Sequence, residues 1–379
     1  MRARPDDPAL RPPVAGPPPT ALPPARPGRG VPLAELTTLG LGGPAEALTV
    51  AEDEAALVAA VRAADAAGRP LLLVAGGSNL VIGDGPVAGE VVVVRTRGVE
   101  DASDPEDPER LLRTVAAGEP WDAVVAGAVA DGLAGIECLS GIPGCAGATP
   151  IQNVGAYGQE VADVLAEVRL LDRRTGAIER RGPEACGFGY RDSAFKGSDR
   201  HVVLSVTFAL RRSALGEPVR YAELAARLGI DVGARAPLGA VRDAVLALRR
   251  GKGMVVDPAD PDTRSAGSFF TNPILDEEAF AELERRVASR LGRDVRPPRH
   301  PAGAGRWKTS AAWLIERAGF ARGHARPGAA ISSKHTLALT SRGGTTADLL
   351  ALAHEVADGV EEAFGVALRP EPVLVGVAW

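Results

Sequence analysis

The spacing of apolar residues changes along the chain, and the changes mark out its elements. A helical period runs from Ala51 to Ala67. Asp53 and Glu54 suit its first turn, and Gly68 and Pro70 end it. Leu71-Leu72-Leu73-Val74 is a short apolar run of the kind that makes a buried strand, and it empties into the loop Ala75-Gly76-Gly77-Ser78-Asn79. Glu90 to Thr96 predicts a second strand. Leu111 to Ala116 is strand-like, Pro120 stands where a helix begins, and Trp121 to Ala130 continues that helix. A glycine-rich stretch follows, Gly135 to Gly158. Val164 to Leu171 and Ala177 to Arg181 flank Arg174-Thr175-Gly176, a hairpin signal, and His201 to Leu210 is another strand. Leu238 to Arg250 is helical and stops at Gly251.

Beyond Asp257 the helical period returns over Glu277 to Leu291 and over Ser310 to Ala318. Thr336 to Leu339 predicts a strand. Thr345 or Thr346 caps a helix running to Phe364, with Asp348 early in it. Val366 to Val377 predicts a closing strand. Residues 1–30 are dense in Pro, Arg and Ala and cannot bury enough apolar surface to offset their ordering entropy, so they read as a disordered tail. The same prolines would also suit a proline-motif ligand. One αβ lobe therefore occupies about 31–98, a second follows, and a third region starts near Asp257. A chain of 379 residues has room for two or three such units.

Composition narrows the function classes. A net charge of −5 argues against a nucleic-acid footprint. Lysine occurs only at 196, 252, 308 and 334, and arginine carries the remaining positive charge. Cys138, Cys145 and Cys186 are odd in number and fit no paired zinc spacing, nor do the five histidines, so no metal is expected. A reducing cytoplasm suits such cysteines. No apolar run reaches the roughly 18 residues that span a membrane. The N-terminus has arginines but no apolar h-region, which reads against a signal peptide.

Several short motifs could carry chemistry, and each has an ordinary reading beside it. Gly40-Leu41-Gly42-Gly43-Pro44-Ala45 matches the loose dinucleotide pattern, but no strand precedes it and Pro44 interrupts any helix start. Ala75, Gly76, Gly77, Ser78, Asn79 and Leu80 follow a buried strand. Their backbone N–H groups suit a pyrophosphate, or they form a tight surface turn. Gly141 to Gly158 packs small residues with two prolines, which suits close approach to something flat or phosphorylated, or is a long loop. Arg191, in Tyr190-Arg191-Asp192-Ser193, can grip a carboxylate or enolate, or pair with a surface acid. Ser268, in Ala266-Gly267-Ser268-Phe269-Phe270-Thr271-Asn272-Pro273, is a turn or cap residue, or the proton donor to a strongly basic carbanion. Glu371 lies between Pro370 and Pro372, rigid and aimed, or simply solvated.

Taken in order, these motifs resemble the UDP-N-acetylenolpyruvoylglucosamine reductases (UDP-N-acetylmuramate dehydrogenases), from about Leu36 to Gly376. The resemblance implies an α+β fold: a two-lobed FAD-binding domain of the vanillyl-alcohol-oxidase type over 31–98 and 99–256, and a substrate-binding domain over 257–363. Residues 364–379 would return as a strand to the flavin lobes. It implies NADPH-dependent reduction of UDP-N-acetylglucosamine enolpyruvate through FAD in peptidoglycan precursor synthesis, by a cytoplasmic monomer with no membrane or nucleic-acid partner. Arg191, Ser268 and Glu371 would be catalytic. Ala75 to Leu80 would contact FAD, as would Gly141, Ile142, Pro143, Gly144, Gly147, Ala148, Gln152, Asn153, Gly155, Ala156 and Tyr157. Tyr190, Asn272 and Tyr221 would contact substrate, the last marking the tyrosine-loop subclass. Two positions depart from the pattern. Thr37 stands where the family often has Asn, and the lysine some members place on the substrate is matched by Met254 in offset and by Lys252 in chemistry.

Other readings stay open at this point. A different flavin oxidoreductase of this fold would need a base near the flavin. A non-catalytic flavin-binding relative would be expected to have lost Arg191, Ser268 or Glu371. A nicotinamide-dependent dehydrogenase would rest on Gly40 to Ala45 alone.

Overall fold

The computed structural model describes residues 22–379. Its first region is a sheet in the order Val31–Pro32, Pro44–Ala51, Val87–Val94, Leu71–Val74, with the last three strands parallel. Val91-Val92-Val93-Val94 is apolar throughout because both faces of that central strand are covered. Val91 and Val93 pack with Leu33, Leu36, Leu48 and Val74. Val92 and Val94 pack with Leu57 and Val61 of helix α1 (Glu54–Ala66). Asp53 caps α1 by accepting from the Ala56 N–H.

The second region is an antiparallel sheet ordered Ile178–Arg181, Leu165–Asp172, His201–Arg212, Arg110–Ala116, Val99–Ser103. Helix α2 (Trp121–Ala130) seats Trp121 against Phe208, ring centres 5.5 Å apart. Helices α3 (Ala222–Leu228) and α4 (Leu238–Gly251) close a small core of Val219, Leu224, Val241 and Val245 beside it.

In the third region an antiparallel sheet runs Ser265–Ser268, Ala338–Ser341, Ala329–Ile331, Ala325–Arg326. Helices α5 (Glu277–Leu291), α6 (Ala311–Ala318) and α7 (Thr346–Phe364) bury Phe280, Leu314, Leu349, Val356 and Phe364 against it. Thr345 and Asp348 form a reciprocal capping box at the start of α7. Thr346, one residue inside, donates its hydroxyl to Ile82 O at 2.6 Å, so α7 starts against the first region. Among the described residues no helix is long and apolar enough to cross a membrane.

The structure differs from the sequence expectations in several places, among them α3 and the strand Val99–Ser103, which no pattern announced. The closing strand spans Val373–Val375 rather than 366–377, because Pro370 and Pro372 carry no N–H to donate to a ladder. That strand runs parallel to Leu80–Ile82, with Val373 opposite Leu80. Residues 1–21 of the expected tail lie outside the described residues. Residues 22–30 are tied to the first region by hydrogen bonds: Gly28 and Leu48 exchange backbone bonds of 3.0 and 2.8 Å, and Arg95 donates to Pro23 O. Finally, Pro44–Ala51 is a strand that the pattern did not announce, since Pro-Ala-Glu-Ala-Leu has no β-branched run, and its pairing with Val87–Val94 decides it.

Candidate active site

A cavity of about 1200 Å³ opens where the three regions meet. Two glycine loops form its floor, and the glycines are there because backbone touches backbone. Gly77 has φ +62°, and a Cβ on it would lie 1.8 Å from Leu36 O. A Cβ on Gly76 would lie 2.5 Å from Gly144 Cα, and one on Gly147 would lie 2.5 Å from Ala117 Cβ. Side chains stitch the loops together: Ser78 Oγ donates to Pro143 O at 3.1 Å, and Asn79 Nδ2 to Gln152 Oε1 at 2.6 Å. The backbone N–H groups of Gly77, Ser78 and Asn79 have no partner among the described residues. Three successive donors of this kind make a nest for an anion. Trp121 lines the same cavity, and its buried Nε1 also has no partner among the described residues. These groups fit a dinucleotide whose pyrophosphate rests on the nest.

Of the residues expected to hold the cofactor, Gly141 and Asn153 do not line the cavity, while the others do. Gly141 faces α4, where a Cβ would lie 2.8 Å from Leu246 Cδ2. Asn153 is buried, donating to Glu160 at 2.8 Å and Gly189 O at 3.1 Å and accepting from the Ala162 N–H. It is a strut of the loop rather than its surface.

Ser268, Arg191 and Glu371 all line this cavity. Ser268 ends the strand Ser265–Ser268. Just beyond it the chain lies antiparallel to the closing segment, with Phe270 opposite Pro370 and the Glu371 N–H donating to Phe269 O at 2.8 Å. The backbone register therefore sets Glu371 opposite Phe269, the residue that follows Ser268 in the chain. Arg191 enters from a tight turn in which Gly189 and Asp192 pair, and its own φ is +53°. For a side-chain-bearing residue such a conformation costs about 1–3 kcal/mol, which the surroundings must offset. Its guanidinium donates to Asn153 O at 3.3 Å and to Gly155 O, and its Nε stands 3.6 Å from Glu371 Oε1. Gln152 Nε2 donates to the same carboxyl oxygen at 3.3 Å. Burial raises the Glu371 pKa above the usual carboxylate range, against the opposing pull of Arg191 and Lys196. A carboxyl of raised pKa, a guanidinium and a hydroxyl lining one cavity are groups that can stabilise and protonate an enolate.

Two further clusters line the cavity. Tyr190 OH accepts from Asn272 Nδ2 at 3.2 Å, and Asn272 Oδ1 accepts from the Ala311 N–H at the start of α6. Lys308 Nζ stands 4.5 Å from the centre of the Tyr190 ring. At the other cluster Tyr221 is 47 % exposed and meets Tyr157 edge-on at 5.5 Å. Arg220, Arg249, Lys252 and His335 line the cavity there. Lys252 Nζ is held by Glu223 at 2.6 Å, and Met254 brings no charge. Arg249 Nη2 donates to Met254 O at 2.9 Å, while its buried Nε has no partner among the described residues. Burial, with Lys252 and Arg249 close by, pushes His335 down to about 4, so it is neutral near pH 7. The sequence reading passed over Arg249, although a signal existed. Val241, Val245 and Arg249 recur every four residues along α4, and a guanidinium on that buried stripe needs a reason.

Comparison with known proteins agrees with this geometry. Residues 258–375 match the model of the UDP-N-acetylenolpyruvoylglucosamine reductase C-terminal domain, and residues 45–182 match an FAD binding domain. UDP-N-acetylenolpyruvoylglucosamine reductase of Thermobifida fusca is 56% identical over 351 residues, covering 92% of this chain and 98% of the relative. The enzyme of the same name from Streptomyces coelicolor is 56% identical over 364 residues, covering 95% of this chain and 93% of its own. The crystal structure of the reductase from Thermus caldophilus aligns with a TM-score of 0.61 at 25% identity, covering 92% of this chain and 99% of that one.

Proposed function

The chain belongs to the UDP-N-acetylenolpyruvoylglucosamine reductase family, and from that membership and the cavity's geometry we infer both its reaction and the roles of its residues. It is an FAD-dependent oxidoreductase that reduces UDP-N-acetylglucosamine enolpyruvate to UDP-N-acetylmuramate with NADPH, in peptidoglycan precursor synthesis. FAD, when bound, would supply the hydride chemistry that links NADPH to the enolpyruvyl group.

The protein's part is position, charge and a proton. Hydride addition to an unsaturated carboxylate drives negative charge onto the carboxylate, giving an enolate. Arg191 faces that charge as a fixed cation, and protonated Glu371 donates a hydrogen bond to it. Ser268 Oγ–H then gives its proton to the adjacent carbon. One observation carries this assignment: Arg191 and Glu371 are 3.6 Å apart, with the Phe269–Glu371 backbone bond tying Glu371 to the Ser268 strand. Gly77, Ser78 and Asn79 would hold the FAD pyrophosphate through their N–H groups, which have no partner among the described residues.

Tyr221 and the cations around Arg249 would take the UDP diphosphate, with Tyr221 acting as the loop tyrosine of its subclass. The support is an exposed ring lining the same cavity as an arginine whose Nε has no partner among the described residues. Arg249→Met is expected to raise KM for the UDP substrate at least about tenfold with little change in kcat, and an unchanged KM would remove Arg249 from the substrate site. Residues 31–98 and 99–256 serve as the flavin lobes and 257–363 as the substrate domain. The three buried free cysteines suit the cytoplasm.

The test is anaerobic. NADPH is expected to bleach the flavin absorbance, and added UDP-N-acetylglucosamine enolpyruvate to restore it while UDP-N-acetylmuramate forms. A flavin that NADPH reduces but this substrate cannot reoxidise would overturn the assignment.

A further inference from the structure

Arg191 holds a backbone conformation that its side chain disfavours, and the group that holds it there is a lysine. Lys196 Nζ donates to the Arg191 carbonyl oxygen at 2.7 Å. The intervening turn is closed on itself. Gly189 and Asp192 pair, the Ala194 N–H donates to Cys186 O at 2.8 Å, Ser193 Oγ donates to Ile151 O, and Phe195 is buried. The Lys196 N–H in turn donates to Ser193 O at 3.2 Å. The lysine backbone is thus anchored, and its ammonium folds back onto the apex of the turn. Lys196 lines the flavin cavity and also a hollow of about 510 Å³ on the other side of Tyr190 and Arg191, so it stands in the wall between them. Among the described residues no carboxylate lies within 4.0 Å of its Nζ, so its charge acts on the site rather than within an ion pair.

We infer that Lys196 is a positioning residue for the Arg191–Glu371 pair, locking the left-handed turn that aims the Arg191 guanidinium and adding a second fixed cation to the wall where the enolate forms. The inference rests on the roles given to Arg191 and Glu371 above. Its charge also bears on the proton that Glu371 holds. The groups facing Glu371 are the cations Arg191 and Lys196 and the neutral amide of Gln152, with Glu160 ion-paired to Arg191 at 3.6 Å. Both cations favour the ionised carboxylate. Removing Lys196 therefore lets Glu371 keep its proton to higher pH, and removing the hydrogen bond frees the turn.

The experiment follows each half-reaction of flavin-loaded protein across pH by anaerobic stopped flow. Lys196→Met is expected to slow reoxidation by the enolpyruvate substrate about tenfold to a hundredfold, as misaimed catalytic groups do. Reduction by NADPH should stay within about twofold, because Arg191 serves only the second half-reaction. The alkaline limb of the reoxidation profile should move to higher pH, and Lys196→Arg should restore both its position and most of the rate. If Lys196→Met loses its flavin, Lys196→Gln, which still donates to Arg191 O but carries no charge, reads the limb alone. Reoxidation of Lys196→Met at the wild-type rate, a limb that stays at its wild-type pH, or equal slowing of both half-reactions overturns the inference. Arg191→Lys runs in parallel: if it too leaves reoxidation at the wild-type rate, the reading of the site fails and not merely the role of Lys196.

Discussion

In the proposed mechanism Glu371 carries two demands that conflict. It holds a proton to donate to the enolate, yet it lies 3.6 Å from a guanidinium that favours its ionised form. Burial outweighs the cations and raises the Glu371 pKa. The sign follows from a raised pKa: the donor is present below that pKa and is lost as pH rises through it. Reoxidation of the reduced flavin by substrate should therefore fall on an alkaline limb, and Glu371→Gln, which donates without titrating, should abolish that limb. A limb that survives in Glu371→Gln would assign it to another group. Arg191, Ser268 and Glu371 were legible in the sequence only through the order of the motifs around them. What the sequence could not give was their meeting, which depends on the antiparallel contact of Phe270 with Pro370 across a hundred residues of chain. Asn153 shows the converse. It sits in the right motif, but its amide turns inward to brace Glu160 and Gly189.

The longer helices are legible because their ends carry explicit chemistry, whereas α3, whose N-cap Tyr221 makes no side-chain hydrogen bond, is not. Asp53, Ser310 and Thr345 each accept a backbone N–H at the start of a helix, and Gly319 and Gly365 end two of them in the left-handed region. Short strands carry no such marks. Pro44–Ala51 and Val373–Val375 are defined by partners elsewhere in the chain, which local pattern cannot supply. The glycine loops fall between these cases: their composition announced close approach, but not of what to what. The model shows Gly76 against Gly144, one loop against the other. Gly76→Ala should therefore wedge the two loops apart. Weaker FAD retention is expected, measured as flavin released in dilute solution, with the helical circular dichroism signal largely preserved. A variant that keeps its flavin as tightly as wild type would show that the contact is not needed for the cradle.

Across the whole molecule, the division of labour follows from where the chain crosses between regions. The first two regions supply the glycine floor, the second supplies Arg191 and Lys196, the third supplies Ser268, and the returning end supplies Glu371. The closing strand pairs with Leu80–Ile82 on one side, while Glu371 is bonded to Phe269 on the other, so the acid is fixed only when all three regions are assembled. The central claim is that this assembly delivers a proton from Ser268 to a substrate enolate after hydride transfer. Anaerobic stopped flow on Ser268→Ala tests it most directly, by timing flavin reduction by NADPH and reoxidation by UDP-N-acetylglucosamine enolpyruvate separately. The predicted result is reduction at close to the wild-type rate and reoxidation slowed at least about a hundredfold, the usual worth of a general acid. Equal slowing of both steps, or wild-type reoxidation, would contradict it.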